Sequence, residues 1–254
     1  MSLVEFTVEN EIAIVTINRP EARNAVDRET ALDLATWFNC FNVDPVQKVA
    51  ILTGAGGTFC AGADLKAVAT SRGNRVTEDG DGPLGCTRML LSKPVIAAVE
   101  GYAVAGGLEL ALWCDLRVAA RDATFGVYCR RFGVPLCDGG TIRLPRLIGM
   151  SRAMDMILTG RGVSGEEAFA MGLANRVVDP GTALAHAREL AKQIASFPQR
   201  CMRGDRMSAY EAWTMPLDDA LKNEYRYGIA TINSGETRAG AEKFASGVGR
   251  HGKF

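Results

Sequence analysis

The sequence predicts an α/β fold, a core of alternating strands and helices followed by a helical last third. Three observations carry that reading. Two strand-like runs, Leu3 to Val8 and Ile12 to Ile17, flank Glu9-Asn10-Glu11, which reads as an antiparallel hairpin. Leu34, Trp37, Phe38 and Phe41 recur at helical spacing and are followed by the unbroken apolar run Val49-Ala50-Ile51-Leu52, the pattern of a strand buried on both faces of a parallel sheet. From Thr182 onward the periodicity is almost wholly helical.

The elements follow in order. Asp27 is a plausible N-cap for the first helix. The Val49 to Leu52 strand ends in the turn Thr53-Gly54-Ala55-Gly56-Gly57. From Ala67 to Cys86 the chain becomes polar and Gly-rich, as in Arg72-Gly73-Asn74 and Asp79-Gly80-Asp81-Gly82-Pro83; such a segment is either a mobile loop or the wall of a ligand site. Pro94 to Val99 reads as a strand and Gly107 to Cys114 as a helix. The stretch Pro94 to Trp113 could span a bilayer by length, but Glu100 and Glu109 would be expensive there and Gly101, Gly106 and Gly107 interrupt it. Leu116 to Ala119 and Thr124 to Val127 read as short strands, and Ser164-Gly165-Glu166-Glu167 has the spacing of a capping box. No fixed-period repeat is present, which argues against a solenoid.

Composition narrows the function. The chain has 254 residues, 47% of them apolar, and enough apolar sequence to bury a core without staples. Its 29 basic and 29 acidic side chains cancel, so no overall field draws in nucleic acid and a small-molecule partner is expected. The seven cysteines are odd in number and contain no C-x-x-C pair, which argues against a disulfide framework or a zinc site and fits a reducing compartment. Glu5, Glu9 and Glu11 precede the first basic residue, Arg19, the reverse of a secretory signal or presequence. A cytoplasmic location and no membrane partner are expected.

Among the motifs, Thr53 to Phe59 follows a strand and invites a dinucleotide-binding reading. It fails, because Phe59 replaces the third glycine and none of Tyr102, Tyr210 or Tyr225 is followed four residues later by lysine. More informative are Phe59-Cys60-Ala61-Gly62-Ala63-Asp64-Leu65-Lys66 and Gly101-Tyr102-Ala103-Val104-Ala105-Gly106-Gly107-Leu108-Glu109-Leu110, where small residues would let a ligand press against backbone. If Gly106 begins a helix, its N–H is unpaired at the positive end of the dipole and can receive a developing oxyanion. Glu109 then lies one turn on, within an apolar helix. The alternatives are close helix packing for the glycines and simple dipole stabilisation for Glu109.

Taken together, Asn18-Arg19-Pro20-Glu21-Ala22-Arg23-Asn24-Ala25, Thr53 to Lys66, Lys93 to Val99, Gly106 to Asp115, Gly139-Gly140-Thr141-Ile142-Arg143-Leu144 and Leu158-Thr159-Gly160 resemble the crotonase superfamily, the enoyl-CoA hydratases and isomerases. The resemblance extends through Gly172-Leu173 and the helical tail. It implies a crotonase-like spiral of ββα units in residues 1–181, binding an acyl-CoA thioester. It also implies a C-terminal helical trimerisation region in residues 182–254, with Trp213 among the side chains buried between subunits of a homotrimer or a dimer of trimers. No cofactor is implied beyond the coenzyme A carried by the substrate, and no metal. The family's two oxyanion donors fall on the N–H groups of Ala63 and Gly106. Its CoA contacts fall on Ala61, Asp64, Leu65 and Lys66, with Ala22 and Arg23 toward the nucleotide half.

The acid/base positions depart from the family. Its hydratases use two glutamates, one matching Glu109; ungapped alignment from Phe125-Gly126 to Gly139-Gly140-Thr141 puts Cys129 at the second. Asp138 matches a place where some isomerase members carry an aspartate base, and it reads equally well as an N-cap of the helix beginning near Gly139. Cys129 lacks an activating partner as a nucleophile, since neither His186 nor His251 falls in a motif. The expectation is an enoyl-CoA hydratase-like lyase that hydrates a trans-2-enoyl-CoA with Glu109. The alternatives are a double-bond isomerase using Glu109 and Asp138, or an acyl-CoA-binding member with little turnover.

Overall fold

The computed structural model describes residues 2–249; His251 lies outside the described residues. The chain divides into two compact units, Met1–Ile194 and Ala195 onward.

The first unit opens with the expected hairpin, β1 (Val4–Glu9) and β2 (Ile12–Ile17), paired from Val4 opposite Ile17 to Glu9 opposite Ile12. Asn10 takes a positive φ of 57° in the turn. Helix α1 (Arg28–Val43) is capped by Asp27, whose carboxylate accepts from the Thr30 N–H. Its Leu34, Phe38 and Phe41 are fully buried, while Trp37 sits at the edge and stacks on Phe6. Next come β3 (Val49–Gly54), the short helix α2 (Leu65–Val68), β4 (Val95–Val99), β5 (Tyr102–Val104), α3 (Gly106–Trp113), β6 (Leu116–Ala120) and β7 (Thr124–Gly126). Then follow α4 (Gly140–Ile148), α5 (Met150–Thr159), β8 (Gly162–Ser164), α6 (Gly165–Ala170), β9 (Arg176–Val178) and α7 (Ala183–Ser196).

The first four strands share one sheet, and from β4 onward the chain crosses between two sheets. Six strands form one in the order β1-β2-β3-β4-β6-β9, parallel except for the first pair, and three form the other in the order β5-β7-β8. The chain thus passes from β4 to β5, from β6 to β7 and from β8 to β9 across layers, which winds the ββα units into the spiral that the resemblance implies. The central strands explain the apolar runs: every residue of β4 is buried, as are Val49 to Leu52 of β3, as expected of parallel strands covered on both faces.

The first unit reaches beyond residue 181. In α7, Ala183, Ala187 and Ala191 are fully buried one turn apart, and the Glu100 carboxylate accepts from the Gly181 and Ala183 N–H groups at the helix start. That helix is tied to the α/β core by its alanine face, so the first compact unit runs to Ile194, thirteen residues past the boundary after 181 that the resemblance implies.

The second unit contains α8 (Gln199–Glu211), α9 (Leu217–Asn233) and α10 (Glu236–Ala245). The Glu211 carboxylate accepts from Asn223 Nδ2 at 2.6 Å and Tyr227 Oη at 3.0 Å, fixing α8 on α9. Glu236 accepts from the Arg200 and Cys201 N–H groups at the free end of α8. Trp213, Leu217, Leu221, Tyr225 and Ile232 remain exposed.

Candidate active site

Two backbone amides meet because short bridges thread the Cys60–Asp64 segment between distant parts of the first unit. The Cys60 N–H donates to Tyr102 O and Cys60 O accepts from the Val104 N–H, while the Val26 N–H donates to Gly62 O and the Asp64 N–H to Val26 O. Alternation along this extended segment leaves the Ala63 N–H directed away from Val26, without an acceptor among the described residues. At the start of α3, Ala105 adopts φ 54° and ψ −125°, and its carbonyl accepts from Leu108 and Glu109. The Gly106 N–H is then the unpaired first-turn donor expected of a helix N-terminus, again with no acceptor among the described residues. Gly62 sits between the two amides with φ +94°, and a Cβ there would lie 2.8 Å from Gly106 N. A Cβ on Gly106 would lie 3.5 Å from Ala63 N. Ala63 and Gly106 therefore border one gap. Gly107 serves packing instead, since a Cβ there would meet Cys60 O at 2.0 Å.

One turn along α3, Glu109 is 2% exposed. Its Oε1 accepts from the Asp138 and Gly140 N–H groups, each at 2.8 Å, and a Cβ on Gly140 would press within 2.9 Å of that oxygen. Its Oε2 has no hydrogen-bond partner among the described residues. Burial pushes the Glu109 carboxyl up to about 7; the two N–H groups and Arg143 oppose the rise and the Asp138 charge adds to it. Glu109 thus reaches the working range of a general acid/base at neutral pH.

Asp138 is also buried, and burial raises its carboxyl above the ordinary range. Its Oδ1 accepts from the Leu84 N–H at 3.0 Å and from the Thr87 hydroxyl. The N-cap reading fails. The cap of α4 is Gly139, in the left-handed region at φ 92° with no side-chain hydrogen bond, and Asp138 turns back to brace the segment at 84–87.

Both carboxylates face a cavity of about 590 Å³, which Ala61, Ala63, Leu65 and Gly106 also line. The polar 67–86 segment supplies a further part of its wall, including Val68, Asn74 and Leu84, and Phe132, Val134 and Pro135 make it largely apolar on another side. Ala22, Arg23, Asp64 and Lys66 do not line it. Asp64 instead caps α2, accepting from the Lys66 and Ala67 N–H groups, and pairs with Arg19 at 2.9 Å. Burial pushes its carboxyl up, but these partners outweigh that and hold it below the ordinary value. Lys66 and Arg23 are exposed, and the Arg23 carbonyl accepts from the Ala61 N–H.

Cys129 lines the cavity with Glu109, as the alignment anticipates. Burial, reinforced by the Glu109 charge, raises its thiol, so it stays protonated and weakly nucleophilic. No histidine lines this cavity; His186 is exposed on α7. Cys129→Ala is accordingly expected to retain turnover within about threefold of wild type, far from the ~10²-fold loss that removal of an acid/base group brings, checked by steady-state kinetics. Sequence reasoning did not single out Thr87, Leu84, Tyr128, Cys137 or Arg143. Arg143 lay inside a recognised motif without a role, and the others sit in segments with no periodicity.

Among the described residues no group of three or more His, Cys, Asp or Glu side chains could hold a metal ion, and no helix is long and apolar enough to cross a membrane.

Residues 7–247 match the family model described as enoyl-CoA hydratase/isomerase. The chain is 40% identical to the (E)-benzylidenesuccinyl-CoA hydratase of Thauera aromatica, over 86% of each chain. It is 39% identical to an enoyl-CoA hydratase of Mycobacterium tuberculosis, over 91% of this chain and 89% of that one. The crystal structure of an enoyl-CoA hydratase from Mycobacterium marinum superimposes with a TM-score of 0.91 at 39% identity, covering 96% of both chains.

Proposed function

The chain belongs to the enoyl-CoA hydratase/isomerase family, and from that premise we propose how its cavity performs hydratase-like chemistry on an acyl-CoA thioester. The thioester oxygen sits in the gap between the Ala63 and Gly106 N–H groups, and the N-terminus of α3 adds its dipole. Glu109 Oε2, as carboxylate, takes a proton from water as the water oxygen bonds to C3 of a trans-2-enoyl-CoA. Negative charge passes through C2 to the thioester oxygen, where the two amides stabilise the enolate. Glu109, now protonated, returns a proton to C2 and is regenerated.

The observation that carries this reading is the orientation of Glu109. Two N–H groups occupy its Oε1, so the carboxylate plane is fixed and Oε2 is left to a cavity that also holds both free amides. Support for CoA contacts comes from Ala61 and Leu65 in the wall, with Ala22, Arg23, Asp64 and Lys66 on the adjoining backbone. Lys66 and Arg23 supply cations for phosphate oxygens. Incubation with a panel of enoyl-CoA thioesters followed by mass spectrometry tests the reaction: hydration adds one water to the thioester, whereas isomerisation leaves its mass unchanged.

A second reading, isomerisation, is favoured by one observation, the presence of Asp138 in the same wall with its Oδ2 unbonded among the described residues. Asp138→Asn separates the two. With Glu109 as sole acid/base, hydration is expected to fall by less than the ~10²-fold that a proton-transfer group contributes. A loss equal to that of a Glu109 variant assigns Asp138 a proton transfer of its own.

The same proposal extends to assembly and location. The exposed Trp213, Leu217, Leu221 and Tyr225 of the second unit suit burial in a homotrimer or a dimer of trimers, and seven free cysteines suit a reducing cytoplasm. Light scattering is expected to give a trimer or hexamer mass; a monodisperse monomer contradicts it.

A further inference from the structure

We infer that Arg143 is a positioning residue whose single guanidinium aims both carboxylates of the cavity. The inference rests on the hydratase reading above and adds to it a residue that touches neither the cavity nor the thioester.

Arg143 projects from the first turn of α4, where its N–H donates to Gly139 O at 2.9 Å. Its Nη1 donates to Asp138 O at 2.8 Å and its Nη2 to Thr87 O at 2.7 Å. These two carbonyls belong to the two turns that hold the acid/base groups. On one side, Asp138 and Gly140 present the N–H groups that fix Glu109 Oε1. On the other, Leu84 N and the Thr87 hydroxyl fix Asp138 Oδ1. The planar fork of a guanidinium can reach two carbonyls at once, which a lysine ammonium on a single stem does less well. The backbone leaves room for it: a Cβ on Gly139 would lie 2.4 Å from Nη1 and would push the fork aside.

A misplacement of about 1 Å in a catalytic group can cost ~10²-fold in rate, and Arg143 braces both turns against such movement. Its charge has a second consequence. The ionisable groups that bear on Glu109 are Asp138, Arg143, and the thiols Cys129 and Cys137, with Arg88 acting on Asp138 and Cys137. Arg143 is the cation of this set that acts on Glu109, and it favours the ionised forms of both carboxyls.

The test compares R143Q and R143K with wild type in kcat, KM, the pH dependence of kcat and the titration of the labelled Glu109 carboxyl by 13C NMR. R143Q is expected to lower kcat by about tenfold to a hundredfold, with KM for the thioester within about threefold, because the residue does not touch substrate. Its acidic limb and the Glu109 titration are both expected to move to higher pH. R143K, retaining charge but not the fork, is expected to restore the titration while leaving kcat depressed. Either wild-type kcat or an unmoved Glu109 titration in folded R143Q overturns the inference, as does a rise in KM alone. Should R143Q fail to fold, R143K decides: undiminished kcat in R143K overturns the positioning role. The NMR titration needs no turnover, so an inactive wild type refutes the hydratase reading and an unmoved titration in R143Q refutes this one.

Discussion

Glu109→Gln is expected to keep acyl-CoA affinity and to lower kcat by ~10²–10⁴-fold, the usual contribution of a general acid/base group. The amide preserves the side chain's shape, and its oxygen can still accept from the Asp138 and Gly140 N–H groups that fix Oε1. It cannot take a proton from water at neutral pH. The wild-type rate is expected to rise with pH and level off above about 7, where burial places the Glu109 carboxyl, because the carboxylate is the form that activates water. The same substitution is expected to stabilise the fold in alkaline solution. Folding raises the carboxyl from 4.5 to about 7, so the native state holds a proton that the unfolded chain has released. The Glu109 contribution to stability is therefore full below about 4.5 and is lost as pH rises to about 7, by roughly 3 kcal/mol at ~1.4 kcal/mol per unit. Urea midpoints of the two proteins should differ most at pH 8, with Glu109→Gln the more stable, and converge in acid. Full activity in Glu109→Gln on every substrate turned over refutes the proton-transfer role.

What the sequence revealed of this site followed helical geometry. Gly106 and Glu109 are one turn apart at a helix start, so local spacing alone placed a free N–H beside a carboxylate. Ala63 was different. Its amide is free only because Val26, 37 positions earlier, pairs with its two neighbours, and no local pattern announces that; the family resemblance alone supplied it. Asp138 lines the cavity, but its role is ambiguous in the sequence, because a carboxylate just before a helix resembles an N-cap until Gly139 is seen to occupy that place. Arg143 was illegible because its function depends on reach across space to Thr87, 56 residues away.

The fold shows the same division. Long or uniformly apolar elements such as α1, β3 and β4 declared themselves, whereas β5, β8 and β9 have three residues each, too few for any period. Helix α4, expected near Gly139, forms although it carries Pro145 and starts on two glycines, features that argue locally against a helix. Its persistence reflects the tertiary burial of Leu144 and Ile148 overriding propensity.

Gly62→Ala is expected to lower kcat by ~10²–10³-fold, the usual cost of losing an oxyanion donor. The donors are backbone amides and cannot be deleted, but Gly62 stands between them. A Cβ there would lie 2.8 Å from Gly106 N, 2.9 Å from Ala105 Cβ and 3.2 Å from Val104 O, so the methyl group either fills the gap or forces the two amides apart. A φ of +94° also strains any residue with a side chain. Gly149→Ala isolates that second effect: Gly149 has φ +81° with nothing within 4 Å of the added carbon, and it does not line the cavity. Both variants should lose stability, by about 1 kcal/mol for the backbone term, while Gly62→Ala alone should lose turnover. Because Glu109 keeps its partners, the acidic limb of the Gly62→Ala profile should stay near 7 even as the plateau falls. A folded Gly62→Ala enzyme with near wild-type kcat would show that the thioester oxygen does not lie between Ala63 and Gly106.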